Sequence, residues 1–549
     1  MVVINSSLDE MNGLIGKKLT LNDYQEMSFK YGLDLESDGI YLNFELTSDR
    51  TELISKYALA FLFSQFLGSN FRRHDKLPIS TDRRIHIKKT SRPFVNILRL
   101  KLERPIGSAL NDLIEIEEKL DFVVGRKRAS AAIGLFDASK LSFPITYSEM
   151  EKKDVHFAPL GKTEAQGYDE IINGTEQGRN YSELTDAKAV VWLDSSGRIF
   201  AMPPIINADF SSITEKTREI LIDVTGPNSS AVNSLTKSLA FNLQFFGDVS
   251  IIQPARASTS LDTGLSLSST GFKLDTASVK KTLGIDISLA DIIRLLKSAD
   301  YSVSKANKSI IVTPKFYRQD VIHQVDIIDD ILRFFGVDKL STPPLRTYTS
   351  GKKLDGTQLQ EDARDALVGL GYEETDLNVL TNKSVQLEMT GIDSTDYARI
   401  RGSKSGEIDM ARLNLFPEML RFISNNLHKR FPQNLFEIGT VVKAESCDVS
   451  FKNRLKMCIV SCSEASNLSV VKLALERALK DSAEIKEISL EENEYLLPVK
   501  GAFIEGRVGS VKINGNNVGF IGEVHPKVLN NFRLELPVSV AEIFLDEIL

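Results

Sequence analysis

Hydrophobic positions change period several times along the chain, and each change marks an expected element. Leu21, Tyr24, Met27 and Tyr31 recur at helical spacing after Leu19-Thr20 and stop at Gly32, which predicts a capped helix. Tyr41-Leu-Asn-Phe-Glu45 alternates like a strand, and Arg50 to Phe63 returns to a strong helical period. From residue 90 to 265, long helical periods occur only near 111–121 and 230–245. Short strand-like runs dominate there, among them Ala189-Val-Val-Trp-Leu193, Arg198-Ile-Phe-Ala201 and Ile220-Leu-Ile-Asp-Val224. Asp194-Ser-Ser-Gly197 is a turn signal between the first two. Ser288 is placed to cap a helix through Leu289, Ile292, Ile293 and Leu296, and a small hairpin is expected around Lys305-Ala-Asn-Lys308. Asp320 is expected to start a second amphipathic helix that ends at Gly336. Beyond the linker Ser341-Thr-Pro-Pro344, helices and strands alternate. Met410 to Leu427 reads as helical apart from Pro417, Asn434 to Val442 as a strand, and Arg507 to Glu523 as a hairpin about Asn514-Gly515. The expected class is α+β and multi-domain.

Length and composition bound this picture. The 549 residues correspond to about three to four domains, and 42% hydrophobic content is enough for several cores. The 67 basic and 74 acidic residues leave a net charge of -7, so a nucleic-acid surface has to be a local patch. One such patch stands out. Phe71 to Arg128 holds 15 Lys and Arg against 8 Asp and Glu, with Arg72, Arg73, Arg83, Arg84, Lys88 and Lys89 as its dense part. It reads either as a phosphate-facing surface or as charge that protects a sheet edge. Cys447, Cys458 and Cys462 form no CxxC pair, which argues against a disulfide scaffold or thiolate zinc site and for a reducing compartment. No apolar run reaches the roughly 20 residues of a membrane span, and no signal peptide is evident, so a cytoplasmic location without membrane contact is expected.

Two constellations carry candidate chemistry. Asp326, Asp329 and Asp330 stand at i, i+3 and i+4 of the expected acidic helix, with Asp320 at its start. Carboxylates with open positions suit Mg²⁺, which takes one or two protein oxygens and keeps several waters. The plainer alternative makes Asp320 a helix cap and pairs Asp329 with Arg333. The second constellation joins Met202-Pro-Pro-Ile-Ile-Asn207 to Asp223-Val-Thr225. Two prolines make a rigid wall, and Asp223 and Thr225, one residue apart on a strand, share a face. The pair is a polar pocket floor or simply a turn beside a surface strand. Phosphate-binding glycine loops, HExxH and histidine clusters are missing from the sequence.

Five ordered motifs carry a resemblance over nearly the whole chain. They are Gly125-Arg-Lys-Arg-Ala-Ser-Ala-Ala-Ile-Gly134, Met202 to Asn207, Phe316-Tyr-Arg-Gln-Asp320 running on to Asp330, Leu435-Phe-Glu-Ile-Gly439, and Gly519 to Leu529. In this order they resemble the beta subunit of phenylalanyl-tRNA synthetase in its archaeal and eukaryotic form. The resemblance implies an α₂β₂ enzyme that joins phenylalanine to tRNA, with ATP bound by the alpha subunit, and tRNA and the alpha subunit as partners but no DNA. It implies an N-terminal α/β unit (1–89), an α+β editing domain (90–265), a small helical winged-helix-like module (266–345) and a catalytically silent class II synthetase-like antiparallel sheet with helices (346–549). It further implies hydrolysis of mischarged tyrosyl-tRNA, with Asp223, Thr225, Asn207 and Met202 as pocket candidates and no assigned base. Mg²⁺ is expected at Asp320, Asp326, Asp329 and Asp330. The chain departs from the family pattern at Phe136, where a histidine is common, and at Asp49-Arg-Thr51 and Arg412-Leu-Asn-Leu-Phe-Pro417. Two alternatives stay open: a structural partner with an inactive editing domain, and a free-standing tRNA deacylase.

Overall fold

The computed structural model describes residues 2–548 except 48, 69–76, 83, 255–264, 266, 268, 307–308, 342–343, 345–348, 401, 403–406, 445–450 and 481–487. The chain divides into two compact units, Met1–Pro344 and Leu345–Leu549. The break falls at the proline-bearing linker, where the chain is poor in apolar residues.

In the first unit, local signals set the opening elements. Thr20 caps the helix Leu21–Tyr31 by accepting from the Asp23 amide, Asp23 answers through a capping box, and Gly32 ends the helix in the left-handed conformation. Val2–Ser7, Tyr41–Leu46 and Asp34–Ser37 form a three-stranded sheet. The helical run after Arg50 resolves into a short turn, Thr51–Leu53, and the helix Lys56–Phe66.

The middle of this unit is built from two sheets packed face to face. The first runs in the order Ile79–Asp82, Asp248–Pro254, Phe94–Lys101, Glu219–Gly226, Ala132–Asp137. The second runs Ile206–Asn207, Ile199–Met202, Ala189–Leu193, Ile145–Met150, Ile85–Ile87. Period-2 alternation decides what each face meets. Ile220, Ile222 and Val224 enter a core shared with Leu113 and Leu120 of helix Ala109–Val123 and Leu235 and Leu239 of helix Ser229–Leu243. Leu221 faces the opposite way, into a layer with Phe136, Tyr147, Trp192 and Phe200. Ile85–Ile87 is an edge strand with buried Ile85 and Ile87 flanking exposed His86, which matches the sheet-edge reading of the basic patch. Arg84 there donates to Asp82 at 2.7 and 3.0 Å, while Arg72, Arg73 and Arg83 lie outside the described residues.

The acidic helix spans Gln324–Phe335 and begins later than the sequence suggests. His323 caps it, and Asp326 folds back to accept from the amides of Ile322 and His323 at 2.9 and 2.7 Å. Asp320 is therefore not the cap; buried Arg318 claims it with two bonds of 2.9 and 2.7 Å. The same guanidinium donates to Asp330 at 2.7 Å, and Tyr301 Oη donates to that carboxylate at 2.7 Å. This cluster locks the 316–320 loop onto the helix.

In the second unit seven strands form one sheet in the order Glu373–Glu374, Gln433–Ala444, Phe451–Cys462, Val538–Phe544, Asn516–Val524, Phe503–Ile513, Ile488–Glu491. Neighbours are antiparallel except the first pair. Asn514 and Gly515 both take positive φ, as a two-residue hairpin turn requires. The helix expected from Met410 starts instead at Phe416, with Pro417 in its first turn, because proline fits a helix start and breaks an interior. Glu437 pairs with buried Arg412 at 2.6 Å, and a Cβ on Gly439 would lie 2.4 Å from the same guanidinium. The Leu435–Gly439 motif is thus a seat for Arg412. Cys458 and Cys462 are buried on the neighbouring strand, while Cys447 lies outside the described residues.

Arg318→Met leaves buried Asp330 without its cation beside part-buried Asp320, a defect worth about 3–5 kcal/mol. Arg294→Met, on an exposed pair, is expected to stay within about 1 kcal/mol of the parent. Urea unfolding read through Trp192, the single tryptophan, measures both; equal midpoints would contradict the assignment of Arg318 as a structural hub.

Candidate functional site

Asp223 and Thr225 lie on the inter-sheet face of Glu219–Gly226 and are 3% and 1% exposed. Gly134 stands opposite Asp223 on the neighbouring strand, and a Cβ there would come within 2.1 Å of Asp223 Oδ1. Only glycine admits this carboxyl. Trp192 Nε1 donates to Asp223 Oδ2 at 2.8 Å, whereas Asp223 Oδ1 and Thr225 Oγ1 make no hydrogen bond of good geometry. Both orphan atoms edge a niche of about 20 Å³ walled by Gly134, Pro203, Pro204 and Asn207. That is room for about one water-sized group. Burial pushes the Asp223 carboxyl up to about 7, against the opposing effect of the Trp192 hydrogen bond.

A larger cavity of about 280 Å³ adjoins the niche and shares Arg128, Ile133, Ile206 and Asn207 with it. Its walls mix apolar Ile114, Leu135, Leu160, Ile205 and Ile213 with polar Gln177 and Ser212. Glu117 and Glu118 line it from helix Ala109–Val123. Arg128 closes the boundary, donating through Nη1 to the Ile205 carbonyl at 3.1 Å and approaching Asp121 at 3.0 Å. A chamber that ends in a hydroxyl-sized polar niche can accept a ring carrying one terminal hydroxyl.

Of the residues singled out in the sequence, Asp223, Thr225 and Asn207 come together here. Met202 does not. It is 1% exposed in a separate core with Phe157, Tyr168 and Ile171, because its strand turns that side chain away from the niche. Phe136 is likewise core, edge-to-face on Phe200. Gly134 and Arg128 lie within the Gly125–Gly134 motif, which assigns them no role, and Trp192 is marked only as the lone tryptophan on an otherwise aliphatic strand; Glu117 has no local signal.

The four aspartates of the acidic helix and its approach, Asp320, Asp326, Asp329 and Asp330, line another cavity, of about 640 Å³, together with Asp49 and Arg333. Asp320 and Asp330 are held by Arg318, Asp326 by backbone amides, and Asp329 by Arg333 at 2.7 Å. Among the described residues no group of three or more His, Cys, Asp and Glu side chains is arranged to hold a metal. The donors are hard oxygens, as Mg²⁺ prefers, but they form no all-protein cage.

Because folding raises the pKa of Asp223 above its ordinary value, the stability tied to its protonated form is complete below about pH 4. It is withdrawn as pH rises through about 7. Asp223→Asn keeps the shape without the titration. Its melting temperature relative to the parent should therefore climb between pH 5 and pH 8; a difference independent of pH would contradict the burial argument.

Comparison with known proteins addresses the whole chain. Residues 83–247 match the B3/4 domain, 272–337 the tRNA synthetase B5 domain and 341–545 the phenylalanyl tRNA synthetase beta chain CLM domain. The phenylalanine–tRNA ligase beta subunit of Pyrococcus furiosus is 31% identical over 456 residues, 81% of this chain and 79% of its own. That of Pyrococcus horikoshii is 28% identical over 565 aligned positions, covering 98% of each chain. The crystal structure of an N-terminal fragment of the Pyrococcus horikoshii phenylalanyl-tRNA synthetase beta subunit shares the fold, with a TM-score of 0.53 at 24% identity, over 61% of this chain and 99% of the fragment. With its identity to such relatives spread over four fifths of its length, the chain belongs to the family of phenylalanine–tRNA ligase beta subunits.

Proposed function

We propose that residues 90–265 of the first unit are the editing domain of a phenylalanine–tRNA ligase, hydrolysing tyrosyl-tRNA in the cleft that ends at Asp223. As a beta subunit the chain supports the attachment of phenylalanine to its tRNA. The observation that carries the editing reading is the pair of buried atoms, Asp223 Oδ1 and Thr225 Oγ1, that lack a well-formed hydrogen bond beside a cavity large enough for a ring. Phenylalanine and tyrosine differ by one phenolic hydroxyl. A pocket that merely tolerates an added hydroxyl discriminates by only ~10²-fold, whereas a site that bonds it rejects the analogue lacking it far more strongly. Here phenylalanine would leave both orphan atoms unpaired, and tyrosine would satisfy at least one.

The four-part division at 89, 265 and 345 belongs to the same proposal, with the second unit as the silent class II-like domain. Its support is that the charged groups on that sheet are consumed by one another: Arg412 with Glu437, and Lys456 with Glu542 at 2.7 Å. ATP and phenylalanine would then bind an alpha subunit in an α₂β₂ assembly. The naming of its relatives as beta subunits favours an obligate partner over a free-standing deacylase. No described helix is long and apolar enough to cross a membrane.

Mg²⁺ would be held by Asp326 and Asp329, which commit only Oδ2 to protein partners, with Asp320 and Asp330 behind them on Arg318. Bound there, it would offset the excess negative charge of this face and offer open positions to a partner's oxygen ligand.

Two measurements test these statements. Asp223→Ala should slow hydrolysis of tyrosyl-tRNA by the assembled enzyme at least tenfold, since a hydrogen bond to a charged group is worth about 1.5–3 kcal/mol. Phenylalanine charging should be unchanged; the reverse pattern would make Asp223 structural. Magnesium chloride should raise the melting temperature of the assembled parent more than that of the Asp326→Asn/Asp329→Asn double variant. Identical shifts would remove these residues from the metal.

A further inference from the structure

The cleft lacks an obvious group to activate water: no histidine lines either cavity among the described residues. Its buried acid cluster supplies one. We propose that Glu117 is the general base that takes the proton of the attacking water in this cleft. The inference rests on the editing reading and adds to it the residue that moves the proton.

Glu117 projects from helix Ala109–Val123 into the 280 Å³ chamber, and its side chain is only 13% exposed. One turn along, Asp121 is fixed: its Oδ1 accepts from the Ile133 amide at 3.0 Å, and Arg128 Nε lies 3.0 Å from Oδ2. The guanidinium reaches Glu117 at 3.5 Å and stacks on the Tyr181 ring at 4.7 Å. Glu117 lines the chamber with its carboxyl hydrogen-bonded to that of Asp121, so the two acids form one cluster beside Arg128.

The chain spends conformational energy on this arrangement. Arg126, Lys127 and Arg128 take φ of 51°, 53° and 66°, three successive non-glycine residues in the left-handed region. Each costs roughly 1–2 kcal/mol, and such strain persists where surrounding contacts over-determine it. The result is to turn Arg128 inward between the two carboxyls and the 204–205 carbonyls.

Charge counting gives the protonation state. Two carboxyls face one guanidinium in a poorly solvated place, so near neutrality one carboxyl keeps a proton. The groups facing Glu117 are Asp121 and Glu118 on its own helix and Arg128 on the left-handed turn; the other strands present Ile133, Ile206 and Asn207. Burial, then Asp121, push Glu117 well above the ordinary carboxylate range, with Arg128 opposing, and burial moves Asp121 to about 6. Once ionised, a carboxyl so raised is a stronger base than an ordinary carboxylate, and its ionised fraction grows as pH rises.

In the reaction the water oxygen bonds to the ester carbonyl carbon as its proton passes to the Glu117 carboxylate. The tetrahedral intermediate then breaks its bond to the ribose oxygen, which receives that proton. Free tyrosine and tRNA with an unesterified terminal hydroxyl leave, and Glu117 is again a carboxylate.

The test is single-turnover hydrolysis of preformed tyrosyl-tRNA by the enzyme assembled with its alpha subunit, from about pH 5 to 8, corrected for the uncatalysed rate. The parent rate should rise with pH through the Glu117 titration. Glu117→Gln should lose about a hundredfold and the rising limb, with phenylalanine charging intact, and Glu117→Asp should restore part of both. Hydrolysis by Glu117→Gln within threefold of the parent, or with the same limb, overturns the proposal. So does a parent profile without a limb, which decides the matter even if the glutamine variant fails to assemble. If Asp223→Ala slows hydrolysis and Glu117→Gln does not, only Glu117 falls. If the parent itself leaves tyrosyl-tRNA intact, the editing reading falls.

Discussion

The strand Glu219–Gly226 cannot slip. It is hydrogen-bonded along both edges, to Phe94–Lys101 and to Ala132–Asp137, and its two faces are chemically opposite. Ile220, Ile222 and Val224 fill the helix-covered core, while Asp223 and Thr225 face the inter-sheet niche. A shift of one residue would bury the carboxyl among leucines and turn Ile222 toward the polar end of the cleft. Gly134 fixes the other coordinate, because no other residue leaves room for the Asp223 oxygen. The niche, the Trp192 hydrogen bond and the line of the Pro203-Pro204 wall all follow from that register.

Much of this was legible in the sequence wherever the information is local. The Thr20 cap and Gly32 stop, the Asn514-Gly515 turn, and the strands Ala189–Leu193 and Glu219–Gly226 follow from period and turn chemistry. The shared face of Asp223 and Thr225 follows from the two-residue period of a strand. Helix starts were less secure where a tertiary partner intervened. Asp320 carries the signature of a cap, but Arg318 two residues away holds it in a bidentate pair, and His323 with Asp326 takes over the helix end.

What stayed hidden is contact between distant segments. Leu113-Ile-Glu-Ile-Glu-Glu-Lys-Leu120 reads as an amphipathic helix with a solvated acidic face, and nothing local says that Glu117 meets Arg128. The left-handed turn at 126–128 contains no glycine to announce it. Met202 shows the opposite error: it shares a motif with Asn207, yet the strand period sends it into another core. Motif membership fixed the neighbourhood and side-chain direction decided the role.

Asp223 and Asp330 are the same residue type at nearly the same burial, and the difference between them is one guanidinium. Asp330 has Arg318 at 2.7 Å and a tyrosine hydroxyl besides, so its charge is neutralised from within and it serves as a fastening. Asp223 has no cation in contact, takes the Trp192 N–H on one oxygen and is drawn toward its neutral form. A buried group left short of partners costs stability in the free protein, and the same shortage is what a ligand hydroxyl can relieve. Glu117 stands between these cases, with a cation close enough to keep the cluster near neutral and too distant, at 3.5 Å, to consume the carboxylate. Which arginine lies in contact, Arg318 at Asp330, Arg128 at Glu117 and none at Asp223, therefore sets how far each buried carboxyl is answered from within the protein.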